Sequence, residues 1–380
     1  MIYLDNSATT RTLDIAADTA RRYMLEQFFN PSSAYSPAVA VERDVNAART
    51  RLAKDLGAIA EEIVFTSGGT ESNNMAMMGT LKASRGRGRV IISAVEHSSV
   101  YETAMVLKRS GYDIAIAGVD DNGCVDINQL AQLVNGDTML VCIMQVNNET
   151  GAINDMSAIY KAVKSRNPYA LVHVDGIQAF AKMPFGPVSC DTYSISGHKF
   201  HAPKGVGALY VKKGTRFTGG QTGGGQERNL RSGTTNTPGI MAMDAALSFY
   251  RENHQIILET MYACKMRLAR NLMQISDVII NGPDIMRGIP HILNASFYGV
   301  KGEVLLHALE ERGIYVSTGS ACSSHKKGKN RVLEAMGVRG ERQEGAIRFS
   351  LCPFNTIEEM DAAADEIRRQ LTVLRRFKRR

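Results

Sequence analysis

The sequence predicts an α/β protein in which helices cover both faces of a mostly parallel sheet. Short apolar runs alternate with amphipathic stretches through most of the 380 residues, and this alternation is typical of β-α-β units. Several of the apolar runs end in polar, glycine-rich turns. In a parallel sheet such turns meet along one edge and face a crevice, so functional residues are expected there.

Seven apolar runs are interpreted as strands of a large domain that spans residues 15–258. They are EIVFTSGG, RVIISAVEH, DIAIAGV, TMLVCIMQVNN, ALVHVDGIQ, TYSISGHK and GVGALYV. Amphipathic segments such as AVAVERDVNAARTRLAKDLG and MSAIYKAVKSRN are expected to form the helices between them.

A change of pattern after about residue 258 indicates a smaller α+β domain, made of residues 1–14 and 259–380. It opens with the long amphipathic stretch HQIILETMYACKMRLARNLMQI and closes with the strand-like AIRFSLC and a final helix. Between them, strand-like YVSTGS leads into STGSACSSHKKGKN at residues 317–330, which carries Cys322. Nothing in that stretch alternates or repeats at a helical period, so it is predicted to be a loop.

The composition, 44% hydrophobic and 22% charged, is that of a soluble globular protein. No apolar run approaches the roughly 18 residues that span a bilayer, and the start MIYLDNSATT lacks the features of a secretory signal. We therefore expect a cytoplasmic protein with no membrane partner. The six cysteines show no CxxC pair and no zinc-ligand spacing, so we expect free thiols and no metal site.

The formal net charge of +7 is concentrated at the end of the chain. The last thirteen residues, RRQLTVLRRFKRR, carry seven basic groups and no acid, so the rest is close to neutral. A basic tail can bind nucleic acid or an acidic partner. The favoured interpretation is a solvated helix end, where cations complement the helix dipole, and nucleic acid is not an expected partner.

Three turns that follow strands carry groups suited to a cofactor. TSGGTESNN (66–74) can cradle an anion, because glycines expose N–H groups, Thr70 adds a hydroxyl and a helix begins there. Asp175 ends an apolar run and could pair with a pyridinium nitrogen, or it could cap a helix. Lys199, 24 residues later in SGHKF, could form a Schiff base, although most lysines are surface solubilisers.

Further polar groups lie at other predicted strand ends. His97 could stack on a flat ring or be an ordinary half-buried histidine, and Asn148 could bind a ligand. GGGQERNLRSGTTN (223–236) is either a surface loop or a segment that reaches a cofactor, in its own or in a neighbouring subunit. Cys322 lies in a glycine-, serine- and lysine-rich setting that favours a reactive thiol over a buried one.

The order and spacing of these motifs resemble the cysteine desulfurase family. This family comprises class V aminotransferases of fold type I that use pyridoxal phosphate. The resemblance runs through YLDNSATT, FNPSS, SGGTESNN, EH, NNETG, VDGIQ, SGHKFHAPKG, GGGQE, RSGT, SACSS and IRFSL. The short cysteine loop is similar to that of the NifS and IscS enzymes. Tyr35, the HKKGKN segment and Cys352 depart from the family pattern.

The resemblance implies a role for each matching residue. Lys199 would bind pyridoxal phosphate covalently and His97 would stack on its ring, while Asp175 would pair with the ring nitrogen. Gln178 would contact the phenolic oxygen, and Asn148 and Arg348 would bind the substrate carboxylate. The expected phosphate ligands are Gly69, Thr70, Ser196, His198 and, from the other protomer of a homodimer, Thr234.

The implied reaction converts L-cysteine to L-alanine and transfers the sulfur to Cys322 as a persulfide. The basic residues after Cys322 would favour its thiolate; they are His325, Lys326, Lys327 and Lys329. The acceptor would be an iron–sulfur scaffold, a tRNA-thiolation protein or another carrier, and with a scaffold Cys322 could transiently ligate the cluster. The alternatives are a selenocysteine lyase, another class V enzyme, and a non-catalytic scaffold of the same fold.

Overall fold

The computed structural model describes residues 1–84, 88–319 and 330–377. Cys322 and the basic residues that follow it in HKKGKN, His325, Lys326, Lys327 and Lys329, therefore lie outside the described residues. No helix among the residues described is long and apolar enough to cross a membrane.

The strands of the described residues form a large central sheet and two smaller sheets. They are β1 (Ile2–Tyr3), β2 (Ile63–Thr66), β3 (Arg89–Ser93), β4 (Asp113–Ala117), β5 (Thr138–Met144), β6 (Leu171–Asp175), β7 (Thr192–Ser196), β8 (Gly207–Val211), β9 (Val278–Asn281), β10 (Ile292–Phe297), β11 (Ile314–Tyr315) and β12 (Ala346–Ser350).

The α-helices flank these sheets. They are α1 (Asp14–Leu25), α2 (Ser36–Asp55), α3 (Gly69–Ala83), α4 (Ser98–Arg109), α5 (Ile127–Leu133), α6 (Met156–Arg166), α7 (Thr237–Met273), α8 (Gly302–Glu310), α9 (Arg331–Ala335), α10 (Glu341–Glu344) and α11 (Ile357–Phe377).

The central sheet has the strand order β2-β8-β7-β6-β5-β3-β4. All seven predicted strands of the larger lobe are present in it. β8 pairs antiparallel with β7 and with β2, whereas the pairs from β7 through β6, β5 and β3 to β4 are parallel. The prediction of a mostly parallel sheet is confirmed, with one reversed strand near its edge.

The central strands are buried on both faces, which explains why a strand such as β5 is apolar over nearly its whole length. On β3, Ile91 packs into a cluster with α1, α2, α6 and α7, whereas Val90 and Ile92 pack against α3 and α4. Successive side chains of a strand point to opposite faces, so a continuous apolar run contacts both helical layers at once.

The smaller lobe contains an antiparallel sheet, β12-β10-β9, and the parallel pair β1-β11. Of the described residues in the predicted strand YVSTGS (315–320), only Tyr315 lies in a strand, at the end of β11. Beyond it, Ser317 makes an isolated bridge to Arg348, and Gly319 has a φ of +83°, which extended strands do not adopt.

Helix α7 runs unbroken through residue 258, where the division into two domains is predicted. The apolar side chains of α7 nevertheless divide between two clusters: Met261 packs with the large sheet, and Cys264 packs with the smaller lobe. One rigid helix thus contributes to both cores. The domain boundaries remain a prediction.

The basic C-terminal segment continues the amphipathic helix α11. Leu371 is buried against the smaller sheet, and Arg375 donates from Nε to the carbonyl of Tyr298 at 3.0 Å. Arg368 and Arg369 are paired with the acids Asp365 and Glu366 on the same helix. Residues 368–376 therefore combine a solvated basic face with a packed apolar one.

Gly207 offers a test of the packing that supports the end of the sheet. A Cβ added there would lie 2.5 Å from the carbonyl oxygen of Ile195 and 2.7 Å from the Cα of Gly68. Because both contacts are with backbone atoms, Gly207→Ala should lower the free energy of unfolding by about 1–3 kcal/mol, measured by urea denaturation. Gly136→Ala is the matched control, since nothing lies within 4 Å of its added Cβ; equal losses would contradict the prediction.

Candidate active site

A cavity of about 310 Å³ lies where the carboxyl ends of the parallel strands meet the smaller lobe. Ten of the residues singled out from the sequence line it. They are Gly69, Thr70, His97, Asn148, Asp175, Gln178, Ser196, His198, Lys199 and Arg348. The folding of the chain thus brings together groups from widely separated motifs.

One end of the cavity is suited to an anion. The helix α3 begins at Gly69, after Gly68 with a φ of +146°, and a helix of this length carries a partial positive charge at its start. The buried hydroxyl of Ser196 has no hydrogen-bond partner among the described residues. A phosphate placed there would accept from this hydroxyl and from the N–H groups that begin α3.

Asp175 is the last residue of β6 and is buried at the floor of the cavity. Its Oδ2 accepts from the amide of Asn73 at 2.8 Å, and its Oδ1 accepts from the backbone N–H of Ile177 at 3.0 Å. The side chain is therefore fixed in place, and it can offer a negative charge to a protonated ring nitrogen.

His97 lies at the N-terminus of α4 with its ring against the cavity. Its Nδ1 accepts from the backbone N–H of Ser99 at 3.1 Å, so the ring proton of the neutral form is on Nε2. Burial lowers the pKa of His97, assisted by the charges of Lys199 and Arg331, although Asp175 acts in the opposite direction. A neutral ring is suited to stacking on a flat cofactor.

Lys199 follows β7 in the short turn Gly197–Lys199. Its Nζ donates to the carbonyl oxygens of Ser7 at 2.5 Å and Ala8 at 2.8 Å. The backbone N–H and the hydroxyl of Thr10 both donate to the carbonyl of His198, each at 3.0 Å. These two hydrogen bonds hold the N-terminal segment against the turn. The amine is thus oriented within the cavity.

Gln178 is buried beside the amine, and two residues that sequence reasoning missed lie behind it. Its Nε2 donates to Ser7 O at 3.0 Å, and its Oε1 lies 3.2 Å from His291 Nε2. The Nζ of Lys182 lies 3.4 Å from the same histidine nitrogen. Burial, followed by the charge of Lys199, lowers the pKa of Lys182 to about 7. Neither residue lies in a recognisable motif, so only the fold reveals them.

Arg348 projects from β12 into the cavity and is only 3% exposed. One terminal nitrogen donates to the carbonyl of Asn148 at 3.0 Å, and the other donates to Asp5 at 2.7 Å. Its Nε is buried without a partner among the described residues. A guanidinium with a spare donor can bind a carboxylate, and Asp5 is a further residue that the sequence reasoning missed.

Two buried acids, Glu96 and Glu149, also line the cavity and were not predicted. Burial raises the pKa of Glu96 to about 8, although a hydrogen bond from Ser93 opposes the shift. Burial likewise raises the pKa of Glu149 to about 7, against a hydrogen bond from Asn330. Glu96 is therefore largely uncharged at neutral pH and adds little to the negative charge of the cavity.

Thr234 lies apart from this cavity. It is exposed in a separate groove with Ser67, Gly205 and Thr235. None of the other predicted phosphate ligands lines that groove. The described residues also contain no group of three or more histidine, cysteine, aspartate or glutamate side chains that could hold a metal ion.

The residues of the cavity fit pyridoxal phosphate. An unpartnered serine hydroxyl at the start of a helix matches the phosphate, and a fixed carboxylate matches the ring nitrogen. An oriented lysine amine matches the aldehyde. These features lie in one cavity with a neutral histidine ring, so together they favour this cofactor over a simple anion.

Comparisons with known proteins agree with this geometry. The family model for aminotransferase class-V matches residues 2–363. A cysteine desulfurase of Nostoc sp. is 38% identical over 100% of this chain and 95% of its own, and a cysteine desulfurase IscS of Clostridium botulinum is 38% identical over 95% and 91%. A solved NifS-like protein is 36% identical with a TM-score of 0.92, over 98% of this chain and 99% of its own.

Glu96 should make the stability of the protein depend on pH. Its pKa is about 8 when folded against an ordinary 4.5, so the folded chain keeps a proton that the unfolded chain releases. The free energy of unfolding should therefore fall as the pH rises from about 4.5 through about 8. Glu96→Gln should remove much of this fall in urea unfolding at pH 5 and 8.5; an unchanged pH dependence would contradict the burial of an uncharged acid.

Proposed function

Because the chain belongs to the aminotransferase class-V family, we propose that it is a pyridoxal phosphate-dependent cysteine desulfurase. In this proposal it converts L-cysteine to L-alanine and transfers the sulfur to Cys322 as a persulfide. The observation that carries the proposal is the meeting of Lys199, Asp175 and His97 with an anion cradle in one cavity. The full-length similarity to curated cysteine desulfurases supplies the substrate.

Pyridoxal phosphate, when bound, supplies an electron sink that stabilises negative charge on the carbon next to the substrate nitrogen. Gly69, Thr70, Ser196 and His198 would hold its phosphate. A second protomer would add Thr234, whose exposure outside the cavity supports a contribution in trans. Asp175 would hold the ring nitrogen protonated, Gln178 would donate to the phenolic oxygen and His97 would cover the ring.

Lys199 would move the proton at the substrate Cα. The carbonyl oxygens of Ser7 and Ala8 already orient its amine. This orientation lowers the entropic cost of bringing the amine to the substrate Cα. Arg348 would bind the substrate carboxylate with its spare Nε donor, and Asn148 lies beside it. Cysteine is also the ligand named for SspA, a solved structure that is 28% identical with a TM-score of 0.83, over 94% of this chain and 100% of its own.

Cys322 would take the sulfur as a thiolate. It forms an S–S bond with the substrate sulfur while the Cβ–S bond of the substrate breaks. The electron pair of that bond stays on carbon, which is then protonated to give alanine, and the sulfur remains on Cys322 as a persulfide. Delivery to an iron–sulfur scaffold or another acceptor follows by exchange with an acceptor thiol.

Cys322→Ser tests the persulfide step. The variant should bind pyridoxal phosphate and L-cysteine with wild-type spectra yet lose alanine and sulfide formation, because serine cannot accept the sulfur. Mass mapping after incubation with L-cysteine should find an added sulfur on Cys322 in the wild type alone. Cys124→Ser, outside the cavity, is the control and should keep turnover; unchanged alanine formation in Cys322→Ser would refute the role.

Arg348→Lys tests the carboxylate site. A lysine side chain lacks the paired donors of the guanidinium. Loss of one hydrogen bond to a charged group weakens binding about tenfold or more. The KM for L-cysteine should rise accordingly, measured by alanine release. Arg342→Lys is the control, because Arg342 contacts Asn281 outside the cavity. A KM equal to that of the control would exclude Arg348 from substrate binding.

A further inference from the structure

A buried network of hydrogen-bonded polar side chains adjoins the cavity, and its centre is Asn73 on α3. The side chain of Asn73 is 0% exposed. Its Nδ2 lies 2.8 Å from Asp175 Oδ2 and 2.8 Å from Ser99 Oγ, and its Oδ1 lies 3.0 Å from His173 Nε2. The amide therefore uses both its nitrogen and its oxygen without contact with water.

The carboxylate of Asp175 fixes which groups donate and which accept along one branch of this network. A carboxylate can only accept, so the amide nitrogen of Asn73 must face Asp175 and its oxygen must face His173. His173 then donates from Nε2, and its Nδ1 accepts from the hydroxyl of Thr192 at 2.9 Å. This arrangement requires a neutral ring, and burial lowers the pKa of His173 to about 3.

The second branch leads from Asn73 to His97. Ser99 Oγ accepts from Asn73 and lies 2.9 Å from His97 Nδ1. Because that nitrogen also accepts from the backbone N–H of Ser99, it carries a lone pair, and the serine hydroxyl donates to it. The amide of Asn73 thus contacts Asp175, the proposed partner of the cofactor ring nitrogen. Through the hydroxyl of Ser99 it also reaches His97, the ring proposed to stack on the cofactor.

We propose that Asn73, held by His173 and Thr192, is a positioning residue that fixes the Asp175 carboxylate and the His97 ring together. The inference rests on the proposed function, because that function assigns these two groups to the cofactor ring. Asn73 lies one turn after Gly69 and Thr70 on α3. The helix that begins at the phosphate end of the cavity therefore also holds the ring end, and rotation of one amide would disturb both contacts.

A purely structural role is the competing explanation, because buried polar groups are normally hydrogen-bonded for stability alone. Two spectroscopic signals separate the two roles. The first is the ¹⁵N resonance of the ring nitrogen in holoenzyme prepared with ¹⁵N-labelled pyridoxal phosphate. The second is the ¹⁵N resonance of His97 Nδ1 in the full-length holoenzyme. Loss of stability by itself moves neither signal.

Asn73→Ala should shift both signals and raise the dissociation constant of pyridoxal phosphate about tenfold, since two groups lose their shared donor. Ser99→Ala should shift the His97 signal and leave the ring-nitrogen signal at its wild-type position. His173→Gln should keep both, because its amide can still donate to Asn73. Asn167→Ala is the matched control: Asn167 is a buried asparagine that donates to backbone carbonyls away from the cavity, so the variant should lose stability and keep both signals.

Wild-type signals and wild-type cofactor affinity in a cooperatively folded Asn73→Ala protein would overturn the proposal. An unchanged His97 signal in Ser99→Ala would overturn it as well, even where Asn73→Ala fails to fold. Neither readout depends on turnover. A holoenzyme that shows the expected shifts but releases no alanine from cysteine would therefore support the role of Asn73 and contradict only the proposed reaction.

Discussion

The parallel register of β5, β6 and β7 is the constraint on which the rest of the site depends. Met144 pairs with Asp175, and Asp175 pairs with Ser194, so three strands end at the same edge of the sheet. Side chains that follow these ends must then converge, however far apart they lie in the chain. The sheet is buried on both faces, so each side chain of a central strand packs against one particular helical layer, and a shift by one residue would move it to the opposite layer. The hydrophobic core thereby fixes the position of the polar site.

Charge in the cavity is set by burial as much as by composition. Arg348 is partnered by Asp5, but Glu96 has a pKa of about 8 and Glu149 one of about 7 because both are buried. These two acids therefore hold protons over part of the neutral range and oppose the cationic groups of the cavity less than two ionised carboxylates would. Such a cavity is suited to a phosphate and a carboxylate, which are the two anionic groups of the proposed cofactor and substrate. The body of the chain is nearly neutral overall, so this local field arises from the arrangement and not from an excess of basic residues.

The N-terminal segment connects the two lobes beside Lys199. Asn6 bonds to the backbone of Ser350 on β12, and Thr10 bonds to the backbone of His198 beside Lys199. Between these anchors, the carbonyl groups of Ser7 and Ala8 hold the lysine amine. Any movement of the smaller lobe relative to the sheet would therefore displace the carbonyl groups that hold the amine of Lys199. At the other end of the chain, the basic segment of α11 is packed through Leu371, so its charges belong to a structural helix.

Local patterns determined the seven strands of the central sheet, several helices and the strand-end residues, because apolar periodicity and glycine-rich turns depend on a few neighbouring positions. The family resemblance added Lys199, Asp175 and His97 as one set, and the cavity places these three side chains around the same space. The reversed direction of β8, the single helix α7 through both lobes and the early end of β11 were decided by long-range packing. The same holds for the contacts of Glu96, Lys182, His291 and the Asn73 network. Glu96 and Asn73 lie within motifs of the sequence, but nothing local indicates what these side chains contact. Their importance comes from burial and from partners about 100 residues away, and these properties exist only once the chain has folded.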